Sequence, residues 1–270
     1  MPDASRPPSG TRIALAYSGS LATSVAIPWL IDAYGADVVT VTVDVGQEES
    51  LEAVRDRALA AGAVRAHVLD LRDEFAREYV LRTLKADAGE DNRPLMVAAT
   101  ALVPSLVALK LLDIAEIERA TALAHGASGG RPDVPEPNIP EIDRLLHALN
   151  PGKPILAPAR DWGLTEAQQV DYARRRGVAV PAAYDSAYRV DSTLWGRTVC
   201  YRTSVPRTSD ASGTHFPAPV PARVHAPAGC PDEPAYASIT FARGVPTEIN
   251  GVAMPLVELI ASLGTIARAH

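Results

Sequence analysis

Short, β-branched apolar runs alternate along the first half of the chain with longer stretches in which apolar residues recur every three or four positions. The runs are Arg12–Tyr17, Val38–Asp44, Ala66–Leu69 and Thr121–His125; the helix-period stretches are Thr23–Tyr34, Glu49–Ala61, Arg72–Ala86 and Ala98–Arg119. Strand-helix alternation of this kind implies a parallel sheet covered on both faces, with the helices as its crossovers. The expected fold class is therefore α/β, a parallel, doubly wound sheet with helices on both sides. Ligands of such sheets bind beyond the carboxyl ends of the strands, where Tyr17-Ser18, Asp44-Val45 and His125-Gly126 all fall.

Gly126–Pro140 is rich in Gly and Pro and reads as a long rim loop before a short helix at Glu141–Leu149. A further helix is expected over Thr165–Arg176, with Thr165 at its start and Gly177 just past its end. From about Pro181 the pattern changes. Pro206–Pro234 carries many prolines and little periodicity, Tyr236–Ala242 and Val245–Ile249 read as strands, and Pro255–Ala267 closes the chain as a helix with Leu256, Leu259, Ile260 and Leu263 on one face. The expected organisation is a frayed, disordered tail over residues 1–10, a large α/β domain over 11–178 and a smaller α+β domain over 179–270.

With 47% hydrophobic residues in 270, the chain has enough apolar material for a substantial core. Its net charge of −6 opposes any general attraction to nucleic acid or anionic membranes, so neither is expected as a partner. The two cysteines, Cys200 and Cys230, lack metal-ligand spacing, no metal site is expected, and Met1–Gly10 lacks the apolar core of a targeting peptide. The expected compartment is cytoplasmic. Leu95–Leu109 is interrupted by Thr100, Pro104 and Ser105 and reads as a buried helix. His67 and His147 read as structural or solvent-facing, Trp162 and Trp195 as packing anchors, and Glu166 as a charge placed to suit a helix dipole.

Candidate chemistry concentrates in Ala14-Leu-Ala-Tyr-Ser-Gly-Ser-Leu-Ala-Thr-Ser24, where an apolar strand runs through a small-residue loop into a helix. Backbone N–H groups and hydroxyls in such a loop can surround an anion, and the helix N-terminus adds a favourable field. The loop Ala16-Tyr17-Ser18-Gly19-Ser20-Leu21-Ala22-Thr23-Ser24 resembles the A-Y-S-G-G-L-D-T-S loop of the argininosuccinate synthases. The likeness continues through Val41-Thr-Val-Asp-Val-Gly-Gln47, Ala124-His-Gly126, Asp161-Trp-Gly-Leu164, Leu194-Trp-Gly-Arg197 and Gly244-Val-Pro246, to about Gly264.

The resemblance implies a Rossmann-like sheet of the adenine nucleotide alpha hydrolase type, within the PP-loop group of N-type ATP pyrophosphatases. It also implies a reaction in which the ureido oxygen of citrulline attacks the α-phosphate of ATP, pyrophosphate leaves, and the amine of aspartate displaces AMP. By this resemblance, ATP with magnesium would be held by Ala16, Tyr17, Ser18, Gly19, Ser20, Thr23, Ser24, Val43, His125 and Gly126. Two loop positions differ from the family. Ser20 replaces a glycine and is expected to place a Cβ at a positive-φ position, at a cost of about 1–2 kcal/mol. Ala22 replaces an aspartate.

The family's aspartate pocket, H-G-x-T-G-x-G-N-D-Q, matches His125-Gly-Ala-Ser-Gly-Gly-Arg-Pro-Asp-Val134, which keeps Ser128 and Asp133 but has Pro132 and Val134 for the Asn and Gln. Arg131 brings a cation nearby. The citrulline pocket differs more: the family's Y-S-x-D-E-N-L-W-G-R becomes Tyr188-Arg-Val-Asp-Ser-Thr-Leu-Trp-Gly-Arg197, so Arg189 and Ser192 replace Ser and Glu, while Asp191, Trp195 and Arg197 stay. In the family a further long segment completes the substrate pocket and the oligomer contacts. Its absence here leads to the expectation of a homo-oligomer or a complex with a partner chain.

These differences point away from argininosuccinate as the product of this chain alone. Two readings stay open. In the first, preferred because Arg131 and Arg189 bring new cations to the subsites, the protein is a repurposed AMP-forming carbon–nitrogen ligase. It adenylylates a carbonyl, carboxyl or ureido oxygen of a small molecule and couples it to an amine or other nucleophile. In the second it is a non-catalytic relative acting as a binding or scaffold partner, or an ATP-independent enzyme using the same cleft. No catalytic residue is assigned.

Overall fold

A computed structural model describes residues 10–47, 49–86, 96–127, 141–181, 188–201, 231 and 233–269. The elements in chain order are β1 (Arg12–Ala16), α1 (Leu21–Tyr34), β2 (Asp37–Asp44), α2 (Leu51–Ala60), β3 (Arg65–Asp70), α3 (Arg72–Glu74), a π-helical stretch (Phe75–Val80), α4 (Leu81–Lys85), α5 (Met96–Ile117), β4 (Ala122–His125), α6 (Glu141–Leu149), β5 (Ile155–Leu156), α7 (Pro158–Asp161) and α8 (Glu166–Arg176). They continue with β6 (Tyr188–Ser192), β7 (Arg197–Tyr201), β8 (Ile239–Ala242), β9 (Val245–Ile249), β10 (Val252–Ala253) and α9 (Leu256–Ala269). The chain divides into two compact units, one of Met1–Asp44, Glu49–Asp70 and Leu102–Tyr184, the other of Val45–Glu48, Leu71–Ala101 and Asp185–His270.

In the first unit β1 to β5 form a parallel sheet in the order β3-β2-β1-β4-β5. The continuous apolar runs are explained by burial on both faces. Ile13, Leu15 and Tyr17 face Ile27 and Leu30 of α1 and Val54 and Ala58 of α2, while Ala14 and Ala16 face Leu111 and Ala115 of α5 and Leu146 of α6. The expected α/β fold class is thus the observed one, with a smaller second unit carrying the hairpin β6-β7 and the antiparallel sheet β10-β9-β8. The strand order reverses direction between β1 and β4, which makes the carboxyl ends of those two strands the topological switch point.

At the opposite end of the sheet the buried Glu118 carboxylate accepts from Arg65 Nη1 at 2.7 Å and bonds His67 Nε2 at 2.8 Å, so His67 is structural as expected. Burial opposes its ionisation, but the bonds from His67 and Arg65 outweigh that and lower its pKa. Beneath α1, Trp162 packs against Trp29 and Tyr172 with ring centroids 5.6 and 4.5 Å away, anchoring α7 and α8 to the unit. Thr165 caps α8 in a capping box with Gln168, and Gly177 ends it in the left-handed conformation. Among the described residues no helix is long and apolar enough to cross a membrane.

Candidate anion site at the sheet switch point

The exit of β1 is fixed by its neighbour. Tyr17 N–H donates to Val41 O at 2.9 Å, and Thr42 Oγ1 donates to Tyr17 O at 3.0 Å. Gly19 then turns the chain at φ +76, a conformation that costs a glycine little. Ser20 follows at φ −66, ψ 163 as the N-cap of α1, its Oγ accepting from Thr23 N–H. The expectation of strain at Ser20 is therefore corrected: the left-handed position is Gly19 alone, and Ser20 occupies the extended conformation that a capping serine prefers.

Three hydroxyls meet over the start of α1. Ser18 Oγ lies 3.1 Å from Ser20 Oγ and 3.3 Å from Thr23 Oγ1, and the last two are 3.2 Å apart. The first turn of the 14-residue helix carries no acidic residue to neutralise its N-terminal field. Ser24 is turned away, buried, with its Oγ 2.9 Å from Tyr17 Oη. Ala16 and Val43 are buried at the ends of β1 and β2, and Ala22 is half-buried in the first turn of α1.

The turn after β4 touches this loop. A Cβ on Gly126 would fall inside the Thr23 methyl group, so glycine there permits the close approach of the two segments. His125 is buried and held at both nitrogens: Nδ1 accepts from Ala127 N–H at 3.2 Å, which leaves the proton on Nε2, 3.3 Å from Asp143 Oδ1. Arg160 Nη1 donates to the other Asp143 oxygen at 2.5 Å, and its Nε donates to Asp161, which in turn accepts from Ala157 N–H. His147 is placed by the backbone, bonding Asp143 O at 2.8 Å.

Burial disfavours the imidazolium and lowers the His125 pKa despite the nearby Asp143. Burial also opposes the Asp143 carboxylate, but bonds from Arg160 and His125 outweigh it and hold that pKa down. A depressed histidine pKa means the unfolded chain binds the extra proton first. Stability is therefore complete above the unfolded value of about 6.5 and falls as pH drops toward the folded value. We expect Tm to decline on acidification from about pH 6.5, well before the carboxylates titrate, and His125→Gln to flatten that limb. An unchanged slope in the variant would assign the decline elsewhere.

The structure thus brings Ala16 to Thr23, His125 and Gly126 to one rim. Ser128, Arg131 and Asp133 lie outside the described residues, as do Cys230, residues 1–9 of the tail and most of Pro206–Pro234. In the second unit, Arg189 lies on β6 in register with Cys200, Asp191 opposes Thr198, and Ser192 opposes Arg197. The half-buried Trp195 sits in the connecting turn, where Thr193 Oγ1 accepts from the N–H groups of Trp195 and Gly196, both at 3.2 Å. Leu194 N–H ties that turn to Val45 O at 2.7 Å. A separate cleft of about 400 Å³ in the same unit is lined by Arg77, Glu78, Leu81, Pro246, Met254 and Leu256. Among the described residues no group of three or more His, Cys, Asp or Glu is gathered to hold a metal.

Sequence reasoning passed over Asp143, Arg160 and Arg57. Arg57 had a legible signal: it follows Val54 by three positions and precedes Ala58, so it lies on the buried face of α2.

Residues 12–179 match the family described as the arginosuccinate synthase N-terminal HUP domain. Curated relatives named argininosuccinate synthase share 38% identity over 260 residues in Oceanobacillus iheyensis, 39% over 261 in Brevibacillus brevis and 40% over 258 in Symbiobacterium thermophilum. These alignments cover 95–96% of this chain and 59–61% of those proteins, so the chain spans about three fifths of their length.

Proposed function

The chain belongs to the argininosuccinate synthase family, and on that premise we propose that it binds ATP at the β1–α1 loop and uses it to activate a small-molecule oxygen for coupling to an amine. The observation that carries this is the convergence of the Ser18, Ser20 and Thr23 hydroxyls on an uncompensated helix N-terminus at the switch point of the sheet. Such a cradle suits a polyphosphate, because backbone N–H groups, hydroxyls and the helix field all favour negative charge there.

In this reading Ser18, Gly19, Ser20 and Thr23 hold the phosphates, Val43 lies along the nucleotide, and the His125-Gly126 turn closes against Thr23. Magnesium would accompany the triphosphate, with Ala22 offering no carboxylate to it. A carbonyl, carboxyl or ureido oxygen attacks the α-phosphorus, the bond to pyrophosphate breaks, and an amine then displaces AMP; the nucleophile's proton passes to solvent. The protein contributes chiefly position and charge stabilisation. Ser128, Arg131, Asp133, Arg189, Asp191, Trp195 and Arg197 are proposed to select the small molecules, with argininosuccinate not the product. We place this activity in the cytoplasm, in a homo-oligomer or a complex with a partner chain.

Calorimetric titration with ATP and magnesium, with AMP as control, tests the proposal. Micromolar to low-millimolar binding of ATP, followed by pyrophosphate release with a suitable acid or urea and an amine, is the expected result. A chain that binds no ATP would instead be a non-catalytic relative or an ATP-independent enzyme.

A further inference from the structure

Arg57 is a charged side chain in an apolar place. It lies on α2 between the buried Val54 and Ala58, with only 15% of its side chain exposed. Its guanidinium lies against Gly19: a Cβ on that glycine would come within 2.8 Å of Arg57 Nη2. One terminal nitrogen donates to Glu49 and the Tyr17 phenol also interacts with the guanidinium, while the buried Nε–H makes no hydrogen bond. Unmade donors of this kind are rare in folded proteins, and a guanidinium offers its donors as a planar fork suited to phosphate. Glu49 is 48% exposed and would return to water at little cost.

We propose that Arg57 is a further phosphate-contacting residue of the loop and that Glu49 is its placeholder, giving up the guanidinium when a polyphosphate arrives. The inference rests on the β1–α1 loop being an anion cradle. It adds a cation from a second helix to that cradle: the Arg57–Glu49 pair holds the guanidinium beside the loop until an anion with more acceptors displaces the carboxylate.

The two members of the pair should then shift affinity in opposite directions, which a purely structural ion pair would not do. Pyrophosphate and ATP–magnesium are titrated calorimetrically into the full chain, into Glu49→Gln, Arg57→Met and Arg57→Lys, with thermal melts confirming the fold of each. Glu49→Gln is expected to tighten pyrophosphate binding roughly two- to fivefold, the scale of a half-exposed ion pair. Arg57→Met is expected to weaken it roughly 10- to 100-fold, the scale of a charge-assisted hydrogen bond, and Arg57→Lys to weaken it less. Should Arg57→Met fail to fold, the sign of the Glu49→Gln effect decides. Weaker or unchanged binding in Glu49→Gln, with the wild type binding normally, overturns the placeholder role and leaves the cradle standing. No binding of either ligand by the wild type overturns the cradle itself and this inference with it.

Discussion

Asp143→Ala is expected to lower the stability of the chain by about 3 kcal/mol, the lower end of what removing one member of a buried ion pair costs. The loss comes from the partners left behind rather than from the value of the pair itself. Asp143 is 6% exposed and takes bonds from two groups at once, Arg160 Nη1 at 2.5 Å and His125 Nε2 at 3.3 Å. Arg160, at 38% exposure, regains water when the carboxylate goes, which is why the lower figure applies. His125, at 1%, does not, and its Nε2–H is left buried with nothing to donate to. Asp143→Asn keeps the shape and an acceptor, so it should cost about half as much. Urea denaturation, with the midpoint falling and the slope unchanged, is the measurement; a loss under about 1 kcal/mol for the alanine variant would mean that the pocket rehydrates and the network is not closed to water.

The parts of this fold that were legible in the sequence are those where one physical demand covers many residues. The middles of β1, β2 and β4 are buried on both faces, so Ile13–Ala16, Val38–Val43 and Ala122–Ala124 hold only aliphatic residues and threonine, and the runs stand out at once. The split of Ile13, Leu15 and Tyr17 from Ala14 and Ala16 follows from the period of a strand without any knowledge of the partners. β5 was missed because two residues, Ile155 and Leu156, carry no period; their strand exists only by pairing with Leu123 and Ala124. The hairpin β6-β7 has Arg189, Asp191, Ser192 and Arg197 among its residues and no apolar run to announce it. Arg72–Ala86 reads as one helix, and the π-helical stretch within it, Phe75–Val80, cannot be told from an α-helix by the recurrence of apolar positions over six residues.

The site shows the same division. The hydroxyl-rich loop is local in sequence and its capping geometry follows from Ser20 and Thr23 alone, although assigning the left-handed turn to Gly19 rather than to Ser20 needed the backbone. The His125–Asp143–Arg160 network and the Arg57–Glu49 pair join separate elements, so no window of sequence holds them. What sequence offers in such cases is a charge on a face that ought to be apolar. Arg57 on α2 and Asp143 beside Leu146 on α6 both carry that mark.

The contact between the two rim segments gives the second large effect. Gly126 does not have a positive φ, so an alanine there suffers no backbone strain, and what it meets is the Thr23 methyl. Gly126→Ala should therefore cost about 1–3 kcal/mol, the range for overpacking a filled site, and should push the turn after β4 away from the start of α1. Thr23→Ser removes that methyl and keeps the hydroxyl that faces Ser18 and Ser20. Alone it should be mild; combined with Gly126→Ala it should recover most of the loss, because the added methyl then occupies the space of the deleted one. The double-mutant cycle on denaturant midpoints reads this as a coupling of about 1 kcal/mol or more. Additive losses would show that the two segments do not share the packing seen here. ATP titration of the same four proteins separates the roles of the threonine: affinity restored in the double variant places the hydroxyl at the anion and the methyl in the packing, while affinity that stays low would make the methyl itself part of what shapes the cradle.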